Sequence, residues 1–149
     1  MLRALYYKGN GDLLTEITPE GFASALQDTQ GVLWVDFGSE DPQPTEDILL
    51  KTFGFHPLAI DDALHETHIP KVDDWEQYLY IAMHAISFTS GEDDIEAIEL
   101  DVFLGQNYIV THHDLPIQAL DRVWDTCKKD VRHFKRGADH VLYKLTDEL

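Results

Sequence analysis

Cysteine is nearly absent: Cys127 is the only one in 149 residues. That excludes an intramolecular disulfide and any multi-thiolate metal site, and it suits a reducing compartment. Basic residues are scarce too, with 11 Lys and Arg against 28 Asp and Glu and a formal charge of −17. Such a field repels phosphate backbones and anionic lipid head groups, so no nucleic-acid partner is expected. No apolar run approaches the roughly 20 residues that span a bilayer. Even residues 78–88 are interrupted by His84 and Ser87, so a membrane segment would have to lie outside this chain. The N-terminus lacks an apolar h-region and a small-residue cleavage site, so a secreted protein is not expected. There is no G-x-S-x-G elbow, no G-x-G-x-x-G and no G-K-[ST], so hydrolase and nucleotide-binding readings have no motif to rest on. The chain is not expected to be an enzyme.

What is present reads as one domain over residues 1–149. At 44% apolar residues the chain can bury one sizeable core but not comfortably two. Residues 2–7 and 13–17 flank Gly9-Asn10-Gly11 and read as a strand hairpin. Thr18 before Pro19 predicts a capped short helix ending near Gly31. Residues 32–37 read as a buried strand, and 39–44, with two prolines, as a loop. Thr45 is expected to cap a helix stopped by Gly54, and Pro57 to open another that runs to about Thr67. Residues 78–88 alternate as a strand covered on both faces, expected at the centre of its sheet. A hairpin joins 98–104 to 108–111. Amphipathic helices are predicted over 116–129 and 138–149, the last expected to continue beyond Leu149. This order implies an α/β fold of the α+β mixed kind, a mixed parallel and antiparallel sheet sandwiched by helices.

Metal chemistry has two candidate donor sets. Asp61, His65 and His68 fall at i, i+4 and i+7 beside Asp62 on a predicted helix, a spacing compatible with zinc but lacking the H-E-x-x-H pattern. Carboxylates are more numerous: Asp61 and Asp62 share one helix, Glu92, Asp93 and Asp94 form a loop, and Asp147 and Glu148 stand near the end. Oxygen donors without thiolates suit Mg²⁺ or Ca²⁺, and Mg²⁺, which keeps much of its water, needs only one or two carboxylates per chain. Cys127 lies on an apolar helix stripe and reads as a core thiol. His112-His113-Asp114, before Pro116, reads as a loop cap.

Several segments together resemble the cytosolic N-terminal domain of the CorA family of magnesium transporters. Trp34-Val35-Asp36-Phe37 is similar to the family's W-[IV]-[DN] strand, and residues 53–62 to its F-G-[IL]-H-P-L-x-x-[ED]-D stretch. Pro70-Lys71-Val72, residues 103–111 and residues 138–147 resemble three further family segments in order. His68-Ile69 departs from the family's Q-R, and the G-M-N pore signature would lie beyond Leu149. The resemblance implies a homopentamer at the cytoplasmic face of the cell membrane, anchored through transmembrane helices beyond this chain. It also implies Mg²⁺ bound between subunits to hold a pore closed. By motif position Asp62 would be a direct or water-mediated ligand, with Asp61 and Asp147 contributing to a second metal nearby and the main partner acid on a stalk beyond Leu149. Co²⁺, Ni²⁺ or Zn²⁺ are the other ions it suggests. A related zinc transporter, or an acidic metal-binding protein without a pore, are the alternatives.

Overall fold

The computed structural model describes residues 1–39, 41–65, 67, 69–88 and 95–149. His68 and the acids Glu92, Asp93 and Asp94, singled out above, lie outside the described residues. The strands are β1 (Leu2–Tyr7), β2 (Leu13–Leu14), β3 (Val32–Gly38), β4 (Lys71–Asp74), β5 (Leu79–Phe88), β6 (Ile95–Leu104) and β7 (Tyr108–His113). The helices are α1 (Phe22–Gln27), α2 (Pro42–Lys51), α3 (Pro57–Leu64), α4 (Gln118–Lys129), α5 (Arg132–Lys135) and α6 (Ala138–Glu148). All seven strands form one sheet in the order β2-β1-β3-β7-β6-β5-β4. Among the described residues only β3 and β7 pair in parallel, and every other strand pair is antiparallel.

Side-chain alternation along the strands splits the core into two layers. On one face Leu5, Trp34, Leu100, Val102 and Ile109 pack with Leu120, Trp124 and Cys127 of α4 and Val141 and Leu145 of α6. On the other, Leu33, Val35, Phe37, Phe103 and Val110 pack with Phe22 of α1, Leu49 of α2 and Ala59, Ile60 and Ala63 of α3. The expected mixed sheet between helices is therefore the observed architecture. Phe55, in the turn between α2 and α3, is fully buried and stacks on Phe103 at 4.2 Å between ring centroids. It also meets the rings of Phe53, Tyr78 and Tyr108.

Five sequence expectations change. The prolines at 42 and 44 do not mark a loop: they occupy the first turn of α2, where no backbone N–H is needed for the helix ladder. Its cap is Asp41, whose carboxylate accepts from the Gln43 amide, and not Thr45. Thr18 makes no side-chain cap and is followed by a 3₁₀ turn over Pro19–Gly21 before α1 begins. Helix α3 stops at Leu64, with His65 already extended, so the face on which Asp61, His65 and His68 were to align does not continue past it. β5 lies one place in from the edge rather than at the centre, which β7 occupies; β4 covers it.

Candidate metal site

Helix α3 starts where its sequence says it should: Pro57 supplies the preset φ of the first turn, and His56 Nδ1 accepts from the Leu58 amide. Its inner face is Ala59, Ile60 and Ala63. The outer face then carries Leu58, Asp61, Asp62 and His65. Leu58 is 64% exposed. The Asp61 side chain is 70% exposed, with the His65 Nδ1 3.1 Å from its carboxylate.

Asp62 is less open, its side chain 33% exposed, and it is ion-paired with the Lys71 ammonium. Lys71 also reaches Asp73 at 3.0 Å and lies 5.5 Å over the Tyr80 ring. An added cation could displace the ammonium from Asp62 while leaving it paired with Asp73. The Asp61 and Asp62 carboxylates thus supply hard oxygen donors that fit Mg²⁺, with Lys71 as the competing cation.

Asp147 is exposed on α6. Because α3 covers one face of the sheet and α6 the other, the fold keeps Asp147 away from Asp61 and Asp62 within one chain; those two are consecutive on α3, one paired with His65 and the other with Lys71. Among the described residues no group of three or more His, Cys, Asp or Glu side chains is arranged to hold a metal ion. Cys127 is buried and its thiol pushed up to about 11 by burial, as a core residue should be.

Sequence reasoning missed a second polar system inside the sheet. Toward α4, Asp36 is fully buried. It accepts from the Thr111 hydroxyl at 2.5 Å and from Arg3 Nε at 2.8 Å. Thr111 in turn accepts from the Trp34 indole N–H at 3.1 Å. His113 Nε2 stands 3.4 Å from Asp36, a charge contact longer than a close hydrogen bond, and its Nδ1 lies 2.7 Å from the Leu115 carbonyl oxygen. Burial alone would raise the Asp36 carboxyl, but His113, Thr111 and Arg3 hold it below the usual carboxylate value. Burial likewise opposes charge on His113, and Asp36 outweighs it and raises that imidazole. His113 is thus a buried charge partner as well as a loop cap.

Toward α3, Tyr80 donates to Asp101 at 2.6 Å, and His112 Nδ1 lies 3.6 Å from the same carboxylate. Burial drives the Asp101 carboxyl up, against the His112 and Tyr80 contacts that favour its ionised form. Glu99 accepts from the Thr67 amide at 3.1 Å and stands 3.8 Å from His84. His112 therefore belongs to the sheet's interior and not to a loop. The signal was available in the sequence: Glu99 and Asp101 share a strand face with Phe103, so acids and a core aromatic had to point the same way.

The "CorA-like Mg2+ transporter protein" family model matches residues 29–149. YfjQ of Bacillus subtilis is 32% identical over 117 residues, covering 78% of this chain and 35% of that protein. The cobalt/magnesium transport protein CorA of Thermotoga maritima is 26% identical over 102 residues, 65% of this chain and 28% of its own length. The chain therefore spans about a third of the curated relatives it matches. The soluble domain of CorA from Methanocaldococcus jannaschii superposes with a TM-score of 0.73 at 23% identity, covering 99% of this chain and 55% of that one, which shows a shared fold. With the family model covering most of its residues and the sheet and its two helical layers matching, this chain belongs to the CorA-like Mg²⁺ transporter protein family.

Proposed function

We propose that the chain is the metal-sensing part of a divalent-cation transporter at the cytoplasmic face of a membrane, binding Mg²⁺ between neighbouring copies to hold a pore closed. The observation that carries this reading is the placement of the acids on opposite faces of one sheet. Asp61 and Asp62 stand on the exposed face of α3, and Asp147 on α6 across the sheet. The two sets can share an ion only when the α3 face of one copy meets the α6 face of the next. Such head-to-tail contact, repeated with a rotation that closes, forms a ring, as in the homopentamer that the resemblance to the family implies. Leu58, apolar and open on the same face of α3 as the carboxylates, suits burial at that seam.

In this arrangement Mg²⁺ keeps most of its water and takes one or two carboxylates from each side. The ion shifts the population toward closed packing only by its higher affinity for the bridged state. Without it, strongly acidic copies repel one another and the seam loosens. In the full-length protein, Asp62→Ala should abolish most of the Mg²⁺-dependent protection from protease, and Asp147→Ala should weaken it. Protection unchanged in Asp62→Ala would remove that residue from the site. Zinc held through dialysis and lost on His65→Ala would favour the zinc reading, for which the 3.1 Å contact between His65 and Asp61 is the supporting observation.

A further inference from the structure

The charge of this chain is unevenly spread. Seven of its eleven Lys and Arg fall within residues 122–144, alongside only Asp125, Asp130 and Asp139; the other 126 residues carry four basic and 25 acidic side chains. On that basic stretch α5 and the first half of α6 enclose a hollow of about 460 Å³. Arg132, Arg136 and Lys144 line it against the single carboxylate of Asp130.

Asp130 is already taken, held by the Arg132 guanidinium at 2.7 and 2.9 Å. Arg136 and Lys144 form no ion pair among the described residues. Two cations without a carboxylate face the hollow of a protein whose remaining surface has acids to spare. The hollow's other wall is a row of rings. His133 stacks on His140 at 5.6 Å and 7°, and His140 on Tyr143 at 5.8 Å. His133 Nδ1 and His140 Nε2 are 3.4 Å apart.

We propose that the hollow between α5 and α6 is an anion site that takes a phosphate-bearing ligand, with Arg136 and Lys144 as its principal donors. Guanidinium and ammonium together match phosphate oxygens in geometry and charge. A phosphate group supplies the negative charge that the fold itself withholds here. Burial, with the positive charges of Arg136, His133 and Lys144, pushes the His140 imidazole down against a weaker opposite pull from Asp139. Asp130, Arg132 and Tyr143 complete the surroundings. A bound anion offsets the cationic part of that effect, so His140 should take up a proton more readily when the site is filled.

The test is titration of pyrophosphate and of ATP into the intact protein at low salt with chelator present, followed by calorimetry and by the His140 ring resonances. Saturable binding is expected at one site per chain, weakened about tenfold by Arg136→Ala and by Lys144→Ala and reduced by added salt. The His140 pKa should rise on binding. Both substituted side chains lie outside the core, so far-ultraviolet circular dichroism of the variants should match the parent. Vesicles of phosphatidylglycerol distinguish the source. Cosedimentation through the same two residues, with no binding of the soluble anions, assigns the phosphate to a lipid head group. Saturable binding of the soluble anions alone assigns it to a free phosphate compound. The proposal is overturned if neither probe binds, or if binding survives both substitutions unchanged. It is also overturned if the two substitutions instead abolish self-association, which would give the basic face to a second copy's acidic surface.

Discussion

Thr111→Val removes one oxygen at the join between β3 and β7 and nearly nothing else. That oxygen accepts from the Trp34 indole at 3.1 Å and donates to Asp36 at 2.5 Å, and all three residues are fully buried. Valine leaves a buried N–H without an acceptor, at about 1–3 kcal/mol, and takes a hydrogen bond from a buried carboxylate, at about 1.5–3 kcal/mol. The expected loss is about 3–5 kcal/mol, a large part of the roughly 5–15 kcal/mol of a typical domain. With a urea m-value of about 2 kcal/mol per molar, the unfolding midpoint should drop by about 2 M. Thr111→Ser keeps the hydroxyl and loses a methyl, so it should cost about 1 kcal/mol. Equilibrium urea unfolding followed by tryptophan fluorescence gives both values. A serine variant as unstable as the valine variant, or a valine variant within 1 kcal/mol of the parent, would refute the claim that this hydroxyl satisfies two buried partners.

Three further outcomes follow from the geometry. Asp36 has a depressed pKa, so its contribution is present above its unfolded value near 4 and is lost as pH falls through the folded one. His113 has a raised pKa, so its contribution is full below about 6.5 and is lost as pH rises through the folded value. Stability should therefore fall as pH rises above about 6.5, and His113→Gln should flatten that fall; an unchanged slope would discount the pair. Phe55→Ala, which empties the centre of the aromatic cluster, should cost about 3–5 kcal/mol. That lowers the melting temperature by roughly 10 °C in calorimetry, and a drop of only 1–2 °C would mean the cluster collapses onto the gap. Lys71→Met frees Asp62 from its ammonium partner and should lower the Mg²⁺ concentration needed for half-maximal protease protection. A higher requirement would show that Lys71 positions Asp62 instead of competing for it.

Elements whose burial pattern is simple were legible in the sequence. The wholly buried β3, the β6–β7 hairpin and the apolar stripes of α4 and α6 appear where periodicity puts them. Pro42 and Pro44 misled because a proline's meaning depends on whether it falls in a helix's first turn or later. β4 was missed because Lys71-Val72-Asp73-Asp74, an edge strand in contact with one neighbour, has too few apolar residues to show a period. β5 looked central because its apolar coverage is the same whether one strand or three lie beyond it. For the site, the sequence placed Asp61 and Asp62 on one helix, but it could not show that Lys71 occupies one of them. Nor could it show that α3 and α6 stand on opposite faces of the sheet. The Asp36 and Asp101 systems escaped notice because strand alternation assigns a polar residue to a face without saying that both faces are covered.

The account turns on whether the α3 face of one copy meets the α6 face of the next. Leu58 and Thr146 are exposed neighbours of the proposed ligands and can be replaced without touching them. Full-length Leu58→Cys and Thr146→Cys proteins, assembled together and treated with a short bismaleimide, report that contact directly, the native Cys127 being buried. Chain-to-chain products that appear only in the mixture and increase with Mg²⁺ are the predicted result. Mixed assemblies that give no such product at any Mg²⁺ concentration would contradict the seam, and with it the sharing of an ion between Asp61 and Asp147.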